Sequence, residues 1–287
     1  MTVALNTNEP KPLVTLKPET GWANLHLEEI WQFRDLLITL AGRDVKLRYR
    51  QTALGAIWVV LQPLLAAGIM TFVFGKVAGL TAPGGLPYLV FAFAGQLGWG
   101  AFNGVFSRAS TCLLQNTQLV SKVYFPRLVL PISTIFSALI DFLVALAMMV
   151  VLIVVYHVHP GLHLLLLPVW LGAIMLLAVG CGLITSALMV SYRDVQYIVP
   201  VLLNFLMYAS PVAYSLMMVK EKVSAHTYTF FMLNPLSGLL EAFRWSLLGV
   251  GTFPVEYVTY SILAAVGVFL VGAVNFKRME RRFADVI

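Results

Sequence analysis

Six long apolar runs constrain this chain more than any other feature. They cover residues 56–75, 87–107, 129–156, 162–190, 195–219 and 255–275. A helix rises 1.5 Å per residue, so about 20 apolar residues cross a hydrocarbon core about 30 Å thick. Each run meets that length. The runs are continuous and do not alternate, which favours helices over the roughly 10-residue strands of a membrane barrel. The second run is the most polar, because it carries Gln96 and Asn103. Only 11% of the 287 residues are charged, against 60% hydrophobic. A soluble domain carries roughly 25% charged residues. The composition therefore excludes a soluble enzyme, a disordered chain and a nucleic-acid binder.

Basic residues set the expected orientation. Lys11, Lys17, Arg34, Arg43, Lys46, Arg48 and Arg50 precede the first run, with no early apolar core of a signal peptide. Arg108, Lys122 and Arg127 follow the second run, Arg193 follows the fourth, and Lys277, Arg278, Arg281 and Arg282 follow the sixth. Six spans place these 15 on one side and leave Lys76, Lys220, Lys222 and Arg244 on the other. Basic loops stay in the cytoplasm, so both termini are expected there.

The expected architecture is all-α and polytopic, with six transmembrane helices. Residues 1–21 form a cytoplasmic arm. Residues 22–50 form an amphipathic interface helix over 22–42 and a basic segment leading into the first span. Residues 51–276 are the transmembrane domain and 277–287 the cytoplasmic tail. Trp22, Leu25, Ile30, Trp31, Phe33, Leu37 and Leu40 recur at helical spacing among charged residues, the pattern of a helix lying in an interface. A short helix before Pro126 is expected in the segment 108–131. The run Tyr208-Ala209-Ser210-Pro211 should break or kink the fifth span. Between spans five and six, residues 220–254 should form short re-entrant or interfacial helices, with Glu241 and Arg244 on one face.

Nucleotide chemistry is missing. Gly75-Lys76 ends like a phosphate-binding loop, but Met70 stands where its first glycine belongs. His157, His159 and His163 cluster without an acidic or cysteine partner, so no metal is assigned. Cys112 and Cys181 lie in or near apolar segments and read as small buried side chains. No catalytic nucleophile is identified. Any ATP used must bind another chain.

Several segments carry a family pattern. Arg43-Asp44-Val45-Lys46-Leu47-Arg48-Tyr49-Arg50-Gln51-Thr52-Ala53-Leu54-Gly55-Ala56-Ile57-Trp58 with Gln62-Pro63 is one. Leu119-Val120-Ser121-Lys122-Val123-Tyr124-Phe125-Pro126-Arg127 through Pro131 is a second, and Tyr192-Arg193-Asp194-Val195 a third. Ser210-Pro211-Val212, Asn234-Pro235-Leu236 and Glu241-Ala242-Phe243-Arg244 complete the series. In order and topology, residues 28–283 resemble the polysaccharide-exporting permeases of the type-2 ABC transporters, which export O-antigen, capsule or teichoic acid. Gly95-Gln96-Leu97-Gly98 departs from the longer aliphatic-aromatic stretch that the family often has before Trp99.

The resemblance implies a bacterial inner-membrane permease with no cofactor of its own. Two copies pair, and two ATPase subunits bind ATP and Mg²⁺. The substrate is a long glycan on undecaprenyl pyrophosphate or another lipid carrier. Export of a drug or simple lipid is the alternative. A secondary transporter should show inverted repeats, and no convincing repeat is present. Coupling to the ATPase is expected at 115–125, through Gln118, Lys122 and Tyr124, with Glu28, Glu29, Arg193 and Asp194 as further contacts. Glu28 and Glu29 are equally explained as favourable charge in a first helical turn. Arg43, Lys46, Arg48 and Arg50 are placed against the carrier's phosphates, or simply anchor the cytoplasmic side. Trp58, Phe72, Tyr88, Phe91, Trp99 and Phe102 are placed along a sugar path or in the packed core. Asp141 stands alone near the middle of span three. An isolated carboxylate in lipid is costly, so it should face protein, a cavity or a hydrogen-bond donor.

Overall fold

The computed structural model describes residues 31–50, 57–251 and 253–286. Eleven α-helices run through them in chain order. α1 is Arg34–Arg50, α2 is Ile57–Met70 and α3 is Tyr88–Gln115. α4 is Thr117–Lys122, α5 is Val129–Val155, α6 is Leu167–Ser191 and α7 is Val195–Tyr208. α8 is Leu216–Lys222, α9 is Ala225–Met232, α10 is Pro235–Leu248 and α11 is Val255–Val286. α2 continues as a wider helical turn over Thr71–Val77.

Among the described residues, five helical segments are long and apolar enough to cross a membrane: Ile57–Val77, Tyr88–Gln115, Val129–Val155, Leu162–Ser191 and Val255–Glu280. The fifth expected run, 195–219, is not one helix. α7 has 14 residues and reaches about 21 Å, short of the hydrocarbon thickness. It stops at the Tyr208–Pro211 break, after which α8, α9 and α10 fold back as short pieces. The second expected run is longer than its apolar part. α3 continues to Gln115, which puts Arg108 on a helix face and not in a loop. Likewise α1 continues through the basic run to Arg50.

α3 is the central helix. Most of its residues from Tyr88 to Leu113 are buried, and it packs on α2, α5, α6 and α10. Small residues make the closest crossings possible. A Cβ on Gly180 of α6 would lie 2.7 Å from the Phe269 backbone, and one on Gly272 of α11 would lie 2.5 Å from the Gly180 carbonyl. Gly182 meets Ala109 of α3 in the same way. α1 buries Leu37, Leu40 and Ala41 and packs on α5, while Ile38 and Leu47 face outward. That is the i, i+3, i+4 stripe of an amphipathic helix. α2, α5, α7 and α11 present apolar side chains on the outside, including Leu65, Ile69, Leu143, Val154, Phe205 and Leu270. In water such a surface would be untenable, and in hydrocarbon it is the expected one.

Candidate functional site

Polar side chains in the apolar bundle gather around one cavity. It has a volume of about 350 Å³ and lies between α2, α3, α5 and α7. Gln62 and Pro63 line it from α2, and Gln96, Trp99, Asn103 and Arg108 from α3. Asp141 and Phe142 come from α5, and Asn204 and Met207 from α7. Gln96 donates to the Met70 sulfur at 3.2 Å. The side-chain amides of Gln62, Asn103 and Asn204 have no hydrogen-bond partner among the described residues.

Among the described residues Arg108 and Asp141 are the charged ones that line this cavity, and they form an ion pair. Arg108 also donates to Ser137 Oγ at 3.2 Å. The sequence expectation that Asp141 faces protein or a cavity is met by both at once. Its partner was hidden because Arg108 follows the end of the apolar run. The signal was available in the helical period: extending that run by one residue puts Arg108 on the face of Gly104, one turn back. Arg108 additionally borders a second cavity of about 390 Å³, lined by Arg43, Asp44, Asn116, Ser133 and Thr134. There Arg43 donates to Asn116 Oδ1 at 2.7 Å and pairs with Asp44 at 3.1 Å, tying α1 to the turn before α4.

At the α10 end, a buried clamp holds the break after α7. Arg244 is 2% exposed. It donates to the carbonyls of Pro211, Val212 (3.0 Å) and Tyr214 (3.2 Å), and pairs with Glu241 at 3.2 Å. Its guanidinium lies 4.1 Å from the centre of the Phe91 ring. Tyr88 donates to the Ala213 carbonyl. Unwound backbone away from water must find donors, and one planar, five-donor side chain supplies most of them. Burial pushes the Glu241 carboxyl above the usual carboxylate range, and the Arg244 charge opposes that shift. Asn234 fastens the other strand of the break. Its amide donates to Ala209 O and Ser210 Oγ while its oxygen caps α10 through Leu236 N. Gly95 and Gly98 explain the departure noted in the sequence. A Cβ on Gly95 would overlap the Val212 carbonyl, and one on Gly98 would lie 2.8 Å from Leu240. This stretch is small because the break and α10 dock against it.

The structure separates the aromatics grouped by sequence. Trp99 lines the cavity, whereas Phe102 is buried between Trp99 and Phe106. Tyr88 and Phe91 belong to the clamp. Trp58 (49% exposed) and Phe72 (61%) face outward from α2 and its extension. Lys46 is exposed on α1. The side chains of Arg48 and Arg50, and all of Glu28 and Glu29, lie outside the described residues.

The end carrying α1 and α4 has its own surface. Gln118 and Lys122 are exposed on α4, 3.5 Å apart, and Tyr124 beyond it is 83% exposed. Phe125 turns inward and is buried. Arg127 is held by Glu280 of α11, through its backbone N–H to Oε1 at 3.1 Å and its side chain to the Glu280 carbonyl. Arg193 and Asp194 stand exposed in the turn between α6 and α7. Among the described residues no group of three or more metal-ligating side chains occurs. His163 instead stacks on Trp245, ring centres 4.1 Å apart.

The described residues thus form a bundle of long apolar helices with a polar cavity in its apolar part. Residues 35–248 match the family model described as ABC-2 type transporter. The chain belongs to that family. It is 31% identical to the O-antigen export system permease protein RfbA of Myxococcus xanthus, over 91% of this chain and 98% of that protein. It is 30% identical to the protein of the same description from Klebsiella pneumoniae, over 88% and 95%. The polysialic acid transport protein KpsM of Escherichia coli is 25% identical over 70% and 77%.

Proposed function

We propose that this chain is the membrane subunit of an ATP-driven exporter that moves a lipid-linked polysaccharide, O-antigen-like in kind, out of the cytoplasm across a bacterial inner membrane. The observation that carries this reading is end-to-end similarity to O-antigen export permeases, covering 95–98% of their length. Two copies of the chain pair, and two ATPase subunits attach at the α1 and α4 end and bind ATP and Mg²⁺. That end is cytoplasmic, together with both termini, in keeping with the 15 basic residues that sort to it. The fifth crossing in chain order is composite, made by α7 and the clamped break up to α8. Residues Gln118, Lys122 and Tyr124 with Arg193 and Asp194 contact the ATPase. The carrier's phosphates meet the basic face of α1, and the glycan passes the cavity that holds Trp99 and Asp141.

Inside-out membrane vesicles carrying the permease, its ATPase and a lipid-linked glycan of the host test this directly. The glycan is expected to become inaccessible to an added glycosidase only when ATP is hydrolysed. Transfer that proceeds equally with a hydrolysis-dead ATPase, or none with any lipid-linked glycan of the host, rejects it.

A further inference from the structure

α11 runs on past the length needed to span a membrane, and membrane orientation does not explain the one acid in its extension. Its 32 residues reach about 48 Å, against about 30 Å of hydrocarbon. The extension reads Phe276-Lys277-Arg278-Met279-Glu280-Arg281-Arg282-Phe283, with Glu280 among four basic residues. Acids contribute little to orientation. Phe276, Glu280 and Phe283 follow at spacings of four and three, on one helix face. Both phenylalanines are buried, their ring centres 5.3 Å apart. Glu280 meets the connection between α4 and α5. Its Oε1 accepts the Arg127 backbone N–H at 3.1 Å, just ahead of α5, and its Oε2 pairs with Lys277 at 3.4 Å. The Arg127 guanidinium donates in return to the Glu280 carbonyl and lies 5.8 Å from the centre of the Phe283 ring. Each residue thus holds the other's backbone with its own side chain.

This contact sits where α4 joins the bundle. α4 has six residues and buries one of them, Val120. Ahead of it, Asn116 bonds Arg43 of α1 and the Cys112 carbonyl. Behind it, Arg127 and Glu280 tie the chain to α11. α11 meets α6 at backbone distance, since a Cβ on Gly272 would lie 2.5 Å from the Gly180 carbonyl. Close-packed helices have low compressibility and transmit strain. We propose that Glu280 is a positioning residue for transport: its reciprocal contact with Arg127 latches the connection after α4 to α11, so that movement imposed on α4 by the ATPase is carried to α11 and the α6 packed on it. The inference rests on the reading that the ATPase docks at α4, and it adds the residue through which that motion enters the bundle.

The test uses the full chain with its ATPase partner in lipid nanodiscs. Val255→Cys puts a bimane fluorophore at the far end of α11, where the native side chain is exposed. Cys112→Ala and Cys181→Ala leave that thiol as the only one to react. Trapping the ATPase with ATP and vanadate is expected to shift bimane emission. Glu280→Ala should cut that shift about tenfold, as the loss of a hydrogen bond to a charged group implies. ATP hydrolysis, ATPase copurification and melting temperature should stay near those of the parent complex. Glu280→Gln keeps an acceptor for Arg127 and should recover most of the shift. Arg127→Ala cuts the guanidinium arm and should also lower it, which keeps the idea testable if Glu280→Ala fails to assemble. No shift in the parent complex, a full shift in both alanine variants, or a Glu280→Gln variant as poor as Glu280→Ala overturns the latch. Loss of the ATPase from both alanine variants overturns it in favour of a docking role. Glycan export by wild-type vesicles is measured in parallel. A shift that depends on Glu280, without export, defeats the exporter reading alone, whereas export with a shift indifferent to Glu280 defeats the latch alone.

Discussion

At the scale of single residues, two arginines answer the question of how charge survives in this bundle. Arg244 is committed through its two terminal nitrogens: three backbone carbonyls, one carboxylate and one aromatic face surround it, and its buried Nε has no hydrogen-bond partner among the described residues. Arg244→Met would leave Glu241 buried without its cation, a loss of about 3–5 kcal/mol. A thermal melt of the purified protein should show a large drop, and Glu241→Gln a smaller one, since the arginine keeps its carbonyls. Arg108 is committed less completely, because Ser137 and Asp141 hold it at the border of two cavities. Arg108→Gln and Asp141→Asn should each destabilise, and the pair should be less harmful than the sum. A double-mutant cycle on melting should return a coupling of about 0.5–3 kcal/mol. Additivity would mean that the pair contributes nothing to the fold.

Among the elements, the broken fifth run is the most informative. The sequence located the break through Tyr208-Ala209-Ser210-Pro211, but not what would satisfy the freed carbonyls. Those partners come from α10 and α3, dozens of residues away, where chain order has no say. Glu241 and Arg244 were legible as a pair three residues apart, yet nothing local announced that the pair is buried. Asn234 was legible only as part of an Asn-Pro motif. In the fold it caps α10 and holds Ala209 and Ser210. Asn234→Ala should cost about 0.5–2 kcal/mol for the cap alone. Gly95→Ala should cost about 1–3 kcal/mol, because the added methyl overlaps the Val212 carbonyl. Both are read as lowered melting temperature, and both should raise protease sensitivity in 209–224 before elsewhere. Uniform sensitivity would show that the break is not a separate unit of the fold.

For the whole molecule, the apolar exterior and the two dissimilar ends matter most. α2 and its extension bury little besides Ala67 and Met70 and leave Trp58, Leu65, Ile69 and Phe72 outward. Lipid or a second copy can cover such a face; water cannot. The α4 end is anchored by Arg127 to Glu280 while Tyr124 projects away from the bundle. If that surface transmits ATPase motion, Lys122→Glu and Tyr124→Ala should abolish export and loosen ATPase copurification while leaving the melting temperature unchanged. Normal export by both variants would locate the coupling elsewhere.

What the sequence determined by itself follows from additive quantities. Hydropathy accumulates residue by residue, so five of the six runs emerged as long helices among the described residues. Only the tertiary structure decided which polar groups meet. Arg108 finds Asp141 on another helix, Arg244 finds the carbonyls of 211–214, and three amides from three helices converge on one cavity. These are long-range pairings set by helix rotation and crossing, and a polar residue in an apolar run announces that it needs a partner without naming one.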